Sequence, residues 1–171
     1  MDLALNLKEV GAMDERPRPA VGFDAAYAAY GPMVYRLAMV YLGCCADAED
    51  VTQEAFIRLL YHAPTFADAE HQKRWLLRVT VNLCRNQLKG FWRKRTVTLE
   101  LDQDIEDPES LSVLETILAL PEKYKAPILL HYCEGYSVAE VGEILRLGQS
   151  AVKMRLKRGK ELLKLELEGT R

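Results

Sequence analysis

No window of the 171-residue chain sustains the roughly 18 apolar residues that a membrane-spanning helix needs. The opening MDLALNLKEV has neither a basic start nor a small-residue cleavage pattern. Membrane insertion and export are therefore not expected, and the expected compartment is the cytoplasm. Cysteine is scarce: residues 44, 45, 84 and 133 form no C-x-x-C pair and no Cys/His ligand spacing, and adjacent Cys44 and Cys45 are a poor start for a disulfide. They are expected to be reduced, mostly buried small apolar residues, with no metal. His62, His71 and His131 lack a ligand-type partner at i, i+4, and there is no phosphate-cradling glycine loop or nucleophile elbow. No cofactor is expected, and the chain does not read as an enzyme. Nothing alternates with period two for long and no internal repeat is visible, which leaves an all-α protein.

What is present is charge arranged in blocks, hidden under a net charge of only −2. Over residues 72–95 the bases are Lys73, Arg74, Arg78, Arg85, Lys89, Arg93, Lys94 and Arg95, with no acid among them. Over 96–115 the acids are Glu100, Asp102, Asp104, Glu106, Asp107, Glu109 and Glu115, with no base. Residues 146–160 are again purely basic, through Arg146, Lys153, Arg155, Lys157, Arg158 and Lys160. Two cationic elements flank an anionic connector.

This divides the chain into a loosely ordered leader (1–20), a first helical domain (21–95), a flexible acidic linker (96–110) and a second helical domain (111–171). In the first domain Asp24 is expected to cap a helix that kinks or breaks at Gly31-Pro32. Asp47 is expected to cap DAEDVTQEAFIRLLYHA, which turns Val51, Ala55, Leu59 and Ala63 to one face and stops before Pro64. A third long helix carries HQKRWLLRVTVNLCRNQLKGFWRKR. In the second domain Pro127 belongs near the first turn of a helix rather than in its middle.

The stretch SVAEVGEILRLGQSAVKMRLKRG has the anatomy of a helix-turn-helix. Ser137 caps the first helix with Glu140 at the capping-box position, Val141, Ile144 and Leu145 are its buried residues, and Gly142 permits close helix approach. At about 100° per residue, Val152, Leu156, Gly159 and Leu163 of the second helix share a packing side. Ser150, Lys153, Met154 and Lys157 form a separate stripe, open to a DNA groove. Lys153, Met154 and Lys157 take the base-facing positions, and Arg155, Arg158 and Lys160 mainly the phosphates. The competing account is a solvated basic surface helix.

The third helix gathers Arg74, Arg78, Arg85, Lys89 and Trp92 on one side, with Asn82 and Arg93 nearby, and Leu76, Val79, Leu83 and Phe91 across from them. A cationic ridge with amides and aromatics suits nucleic acid whose bases have left the stack. An ordinary amphipathic helix would look similar.

The segment SVAEVGEILRLGQSAVKMRLKRGKELL resembles region four of the extracytoplasmic-function (ECF) group of bacterial sigma factors, matching at Ser137, Glu140, Leu145, Val152, Lys153, Arg155, Leu156 and Arg158. Arg146 stands where that group usually has a turn glycine, and Met154 where it has a small polar residue. DAEDVTQEAFIRLL and WLLRVTVNLCRNQLK are similar to region two of the same group, at Asp47, Ala48, Glu49, Asp50, Gln53, Glu54, Phe56 and Arg58, then Trp75, Leu76, Arg78, Asn82 and Leu88. Asn86 replaces an aspartate. The resemblance implies that Asp50, Gln53, Glu54 and Arg58 bind core RNA polymerase at the clamp coiled coil of its largest subunit. It implies that Phe66, Arg74, Arg78, Asn82, Arg85, Asn86 and Lys89 engage the minus-ten element of promoter DNA. The helix bearing Ser150, Lys153, Met154, Arg155, Lys157 and Arg158 would then read the minus-thirty-five element. A dedicated anti-sigma factor is the further implied partner. Two rivals remain: a stand-alone dimeric regulator that uses the same helix-turn-helix, and a helical adaptor that binds only protein.

Overall fold

The computed structural model describes residues 20–91 and 108–169, and every regular element among them is helical. Residues 1–19 of the expected leader, 96–107 of the expected acidic linker, and Trp92 and Arg93 lie outside the described residues, whereas residues 108–110, expected in that flexible linker, form the first turn of a helix. In chain order the helices are α1 (Phe23–Leu42), α2 (Cys45–His62), α3 (Ala69–Phe91), α4 (Pro108–Leu118), α5 (Glu122–Ile128), a π-helical turn (Leu129–Cys133), α6 (Val138–Leu145) and α7 (Gln149–Gly169).

α1 runs unbroken through Gly31-Pro32, contrary to the expected kink, and its N-cap is Gly22, so Asp24 sits inside the first turn rather than capping it. An interior proline costs about 3 kcal/mol. From Met33 onward, however, nearly every residue is buried, including Val34, Leu37, Met39 and Leu42. At roughly 1.5–3 kcal/mol per large buried apolar side chain, packing outweighs the proline. Gly43 ends the helix in the left-handed region (φ 64°), its N–H donating to the Met39 carbonyl at 2.8 Å.

α2 begins two residues before the expected cap: Cys44 is its N-cap, and Asp47 lies in the first turn, where its charge meets the positive end of the helix dipole. Val51, Ala55 and Leu59 are buried, joined by Phe56. The helix ends at His62, and Ala63 is extended, as a residue before proline prefers to be. α3 is capped by Asp68, whose carboxylate accepts from the His71 N–H at 2.7 Å. Its core side is Leu76, Leu77, Val81 and Cys84, while Val79 and Leu83 of the expected apolar stripe are only half-buried. Buried Gln72 pairs its amide with both backbone groups of Val21, at 2.7 and 3.0 Å. That satisfies a polar group the core would otherwise leave unpaired.

Pro127 falls in the last turn of α5, not the first. Lacking an N–H, it cannot bond the carbonyl of Lys123 four residues back, and the Arg155 guanidinium of α7 donates to that carbonyl at 3.5 Å. The π-helical turn follows at once, with the Glu134 N–H donating to Leu129 O at 3.1 Å.

The two halves are docked. One apolar cluster runs from Leu37, Val40 and Tyr41 of α1 and Leu77 and Cys84 of α3 to Ile117, Ile128, Leu130 and Ile144 of the second half. A separate cluster of Val34, Phe56, Leu59, Phe66 and Leu76 belongs to the first half alone. Of the cysteines, only Cys84 is buried, its thiol pushed up to about 12 by desolvation. Cys44 and Cys45 are half-buried and Cys133 is exposed, against the expectation of mostly buried thiols.

Candidate nucleic-acid interface

The helix-turn-helix is fixed by local interactions. Ser137 Oγ accepts from the Glu140 N–H at 3.3 Å and the Glu140 carboxylate accepts from the Ser137 N–H at 2.9 Å, closing a capping box. These hydrogen bonds from Ser137, helped by the nearby charges of Arg74 and Lys73, hold the Glu140 carboxyl below its ordinary pKa. α6 ends on Arg146 in the left-handed region (φ 55°, ψ 50°), and the Leu147 N–H donates to Gly142 O at 2.9 Å. A Cβ on Gly142 would lie 2.7 Å from the Leu147 carbonyl oxygen, so the turn closes directly over this glycine. Val141, Ile144, Leu145, Val152 and Leu156 are buried behind it.

That packing points the other side of α7 outward. Ser150, Lys153, Lys157 and Arg158 are exposed, and Met154 is 68% exposed. Arg158 reaches Glu161 on its own helix at 3.0 Å. Arg155 is half-buried and turned toward Lys123 O, a structural contact that competes with a role on DNA phosphates.

The ridge on α3 is in a different state. Arg74 lies 3.7 Å from Glu140 and 3.5 Å from Glu143, both on α6. Arg78 donates to the Glu143 carbonyl at 3.1 Å. Arg85 lies beside Tyr41, whose hydroxyl desolvation pushes up to about 12 despite that guanidinium. Arg85 and Arg155 both line an open cleft of about 440 Å³ between the halves, with Tyr41, Lys123 and Glu122. Asn82, Asn86 and Lys89 remain exposed. Phe66 is not presented: it is 7% exposed, its ring edge-on to Trp75 and His71 at 5.5 Å each. An aromatic in a short loop beside a tryptophan-bearing helix gains more by joining the core than by facing water, so Phe66 shapes the loop from beneath.

On α2, Asp50 and Gln53 are exposed, and half-buried Glu54 and Arg58 pair at 2.9 Å. Sequence reasoning did not single out Ile57 and Leu60, each 48% exposed on the same helix, because they fall off its buried stripe. It also missed Arg36, Glu134 and Tyr136, which come together, Arg36 with Glu134 and Tyr136 under Lys73 of the basic block, only where the halves touch. Among the described residues no group of three His, Cys, Asp or Glu side chains gathers as a metal site, and no helix is long and apolar enough to cross a membrane.

Two helical modules, the second a helix-turn-helix with an exposed basic recognition helix, define a DNA-binding protein. Residues 26–95 match the family Sigma-70 region 2, and residues 110–163 the family Sigma-70, region 4. The chain is 30% identical to the ECF RNA polymerase sigma factor SigW of Bacillus subtilis, over 81% of this chain and 84% of that protein. It is 31% identical to the ECF RNA polymerase sigma factor SigE of Mycolicibacterium smegmatis, over 83% of this chain and 60% of that protein. In fold it is similar to the sigma factor RpoE of Bartonella quintana, solved with the anti-sigma factor NepR, at a TM-score of 0.68 and 18% identity, covering 87% of this chain and 98% of that one. The chain belongs to the ECF family of RNA polymerase sigma factors.

Proposed function

We propose that this sigma factor directs promoter-specific initiation by joining core RNA polymerase to promoter DNA through three faces of the chain. The face of α2 carrying Asp50, Gln53, Glu54 and Arg58 binds the clamp coiled coil of the largest subunit, with Ile57 and Leu60 adding apolar contact. The α3 ridge, with Arg74, Arg78, Asn82, Arg85, Asn86 and Lys89, takes the opened minus-ten strand; extruding a base costs a few kcal/mol, which stacking and edge hydrogen bonds offset. α7 enters the major groove at the minus-thirty-five element through Ser150, Lys153, Met154 and Lys157, with Arg158 on the backbone. The functional units are residues 21–95 and 108–171, the second opening with α4, and 96–107 serve as the tether; tethering raises the effective concentration of the second reader toward the mM range. Bond-making belongs to the polymerase, so the chain itself is not an enzyme, and it works in the cytoplasm. An anti-sigma factor is a further partner, a reading supported by the complex in which its Bartonella relative was solved.

The observation that carries this reading is the free Lys153-Met154-Lys157 face on a helix-turn-helix that follows a region-two module. The test is in vitro transcription from a genomic promoter pool with purified core enzyme. Promoter-specific transcripts should require the chain, and Gln53→Ala with Glu54→Ala should weaken retention of core on an affinity column without loss of helicity. A chain that footprints a palindromic operator unaided and never retains core would instead be a stand-alone regulator.

A further inference from the structure

The halves meet along a joint, and the open cleft of about 440 Å³ lies in it at Arg85, well past Arg74 and Arg78 along α3. Three cations line this cleft, Arg85 of α3, Lys123 of α5 and Arg155 of α7, and among the described residues Glu122 is the one acid lining it. Both arginines are half-buried and steadied from one side only. Arg85 donates to the hydroxyl of buried Tyr41, and Arg155 Nη1 donates to the Lys123 carbonyl at 3.5 Å. A guanidinium carries five N–H donors in a planar fork, so most of each fork remains to be used. Elsewhere Arg36, Arg58, Arg74 and Arg158 each have a carboxylate at ion-pair distance; among the described residues Arg85 and Arg155 have none. Two like charges on one half-dry cleft repel, and an anion between them turns that cost into attraction. Tyr41, its ionisation pushed up to about 12 by burial, keeps its proton and stays a donor at the cleft wall. Pro121, Pro127 and Leu145 supply an apolar side. A cleft of this volume, with an apolar wall and a few convergent polar groups, has the makeup of a small-molecule site.

We propose that this cleft binds a nucleoside diphosphate or a phosphorylated metabolite of the same size, its phosphates held between Arg85 and Arg155 and its ring laid against Pro121, Pro127 and Leu145. Guanidinium forks match phosphate oxygens two at a time, which a lysine ammonium does not. Lys123 stands 5.0 Å over the ring of Tyr124, close enough to add its charge at the rim. The ligand touches α3, α5 and α7 at once, so it ties the two modules through a site that is separate from the exposed Lys153-Met154-Lys157 face.

The test titrates the full chain with GDP, ADP and inorganic pyrophosphate by isothermal calorimetry, with neither DNA nor polymerase present, so that its failure leaves the sigma-factor function untouched. At least one nucleotide should bind with a dissociation constant below about 100 μM, and about tenfold or more tighter than pyrophosphate. Arg85→Gln and Arg155→Gln should each weaken that binding by about tenfold or more, the loss expected for a charge-assisted hydrogen bond. Arg155→Lys should restore only part of it, because the charge returns without the fork. Lys153→Ala with Lys157→Ala removes two exposed charges outside the cleft, where screening is strong, and should change affinity by no more than about twofold. Circular dichroism verifies that each variant is folded. Hydrogen exchange adds a reading of position: bound nucleotide should slow amides of α5 and leave those of α2 unchanged. Absence of nucleotide binding at millimolar concentration, equal affinity for pyrophosphate, or an equal loss in the double lysine variant would each overturn the site. A single-stranded oligonucleotide that protects the same α5 amides more strongly than the nucleotide would overturn it too, by making the cleft part of a strand path.

Discussion

Lys153 and Lys157 on α7 stand in solvent, whereas Arg74 and Arg78 on α3, equally free of acids in their own segment, are held by Glu140 and Glu143 from a helix more than sixty residues away. Both faces carry the same signal, a run of bases on one side of an amphipathic helix. What separates them is the neighbour that each helix packs against. α7 rests its back on α5, at Gly159 and Ile128. α3 lies between the first core and α6, so its charged edge is drawn into the joint. Basic periodicity marks where DNA could bind, and the tertiary partner decides whether the surface is available.

The harshest way to break the comparison is to remove the support behind the open face. A Cβ on Gly159 would lie 2.8 Å from Ile128 Cγ1 and 3.4 Å from Tyr124 Cβ. Gly159→Leu should destabilise the second module by about 3 kcal/mol, the upper end for overpacking, read as a lower denaturation midpoint together with loss of duplex binding. On α3, Gly90 has no atom within 4 Å of an added Cβ, so Gly90→Ala should be neutral or slightly stabilising. Equal losses in the two variants would mean that the module boundary does not separate these helices energetically.

A finer cut separates base reading from charge. Lys153→Ala and Lys157→Ala should each remove about 1–3 kcal/mol of discrimination between a minus-thirty-five duplex and one with a changed base pair, measured as the ratio of the two dissociation constants. A uniform loss on both duplexes would move these lysines to the phosphates, where they carry no sequence information.

The helix-turn-helix was legible because what fixes it is local. Ser137 and Glu140 are three residues apart, and the Gly142–Leu147 contact closes within one turn, so residue type and spacing suffice. The helix starts were less legible: Asp24 and Asp47 carry good capping side chains, yet Gly22 and Cys44 hold the cap positions because core packing sets where α1 and α2 begin. Pro32 was misleading for the same reason, since burial of Met33 to Leu42 pulls the helix through it. The joint was out of reach. Arg36 and Glu134 are 98 residues apart, and nothing in the periodicity of either helix names the other. Phe66 lay between these cases: its loop position suggested exposure, and only its contact with Trp75 shows that it is core.

The smallest expected effect concerns the turn that aims α7. Arg146 is the one non-glycine residue at positive φ among those described, and it occupies the position where the resemblance to ECF region four leads one to expect glycine. A left-handed conformation costs an L-residue roughly 1–2 kcal/mol, while glycine adds about 0.4–1 kcal/mol of unfolded-state freedom that folding must overcome. Arg146→Gly should therefore stabilise the chain by less than about 1 kcal/mol, raising the melting temperature by about 2 °C for a chain of this size. Duplex affinity is the discriminating reading. If the turn geometry alone matters, affinity stays level or rises slightly as the turn relaxes. If affinity falls and its salt dependence becomes shallower, by about one in the log–log slope, the Arg146 side chain is itself a phosphate contact, and the strain at this turn is retained to place a cation beside the groove.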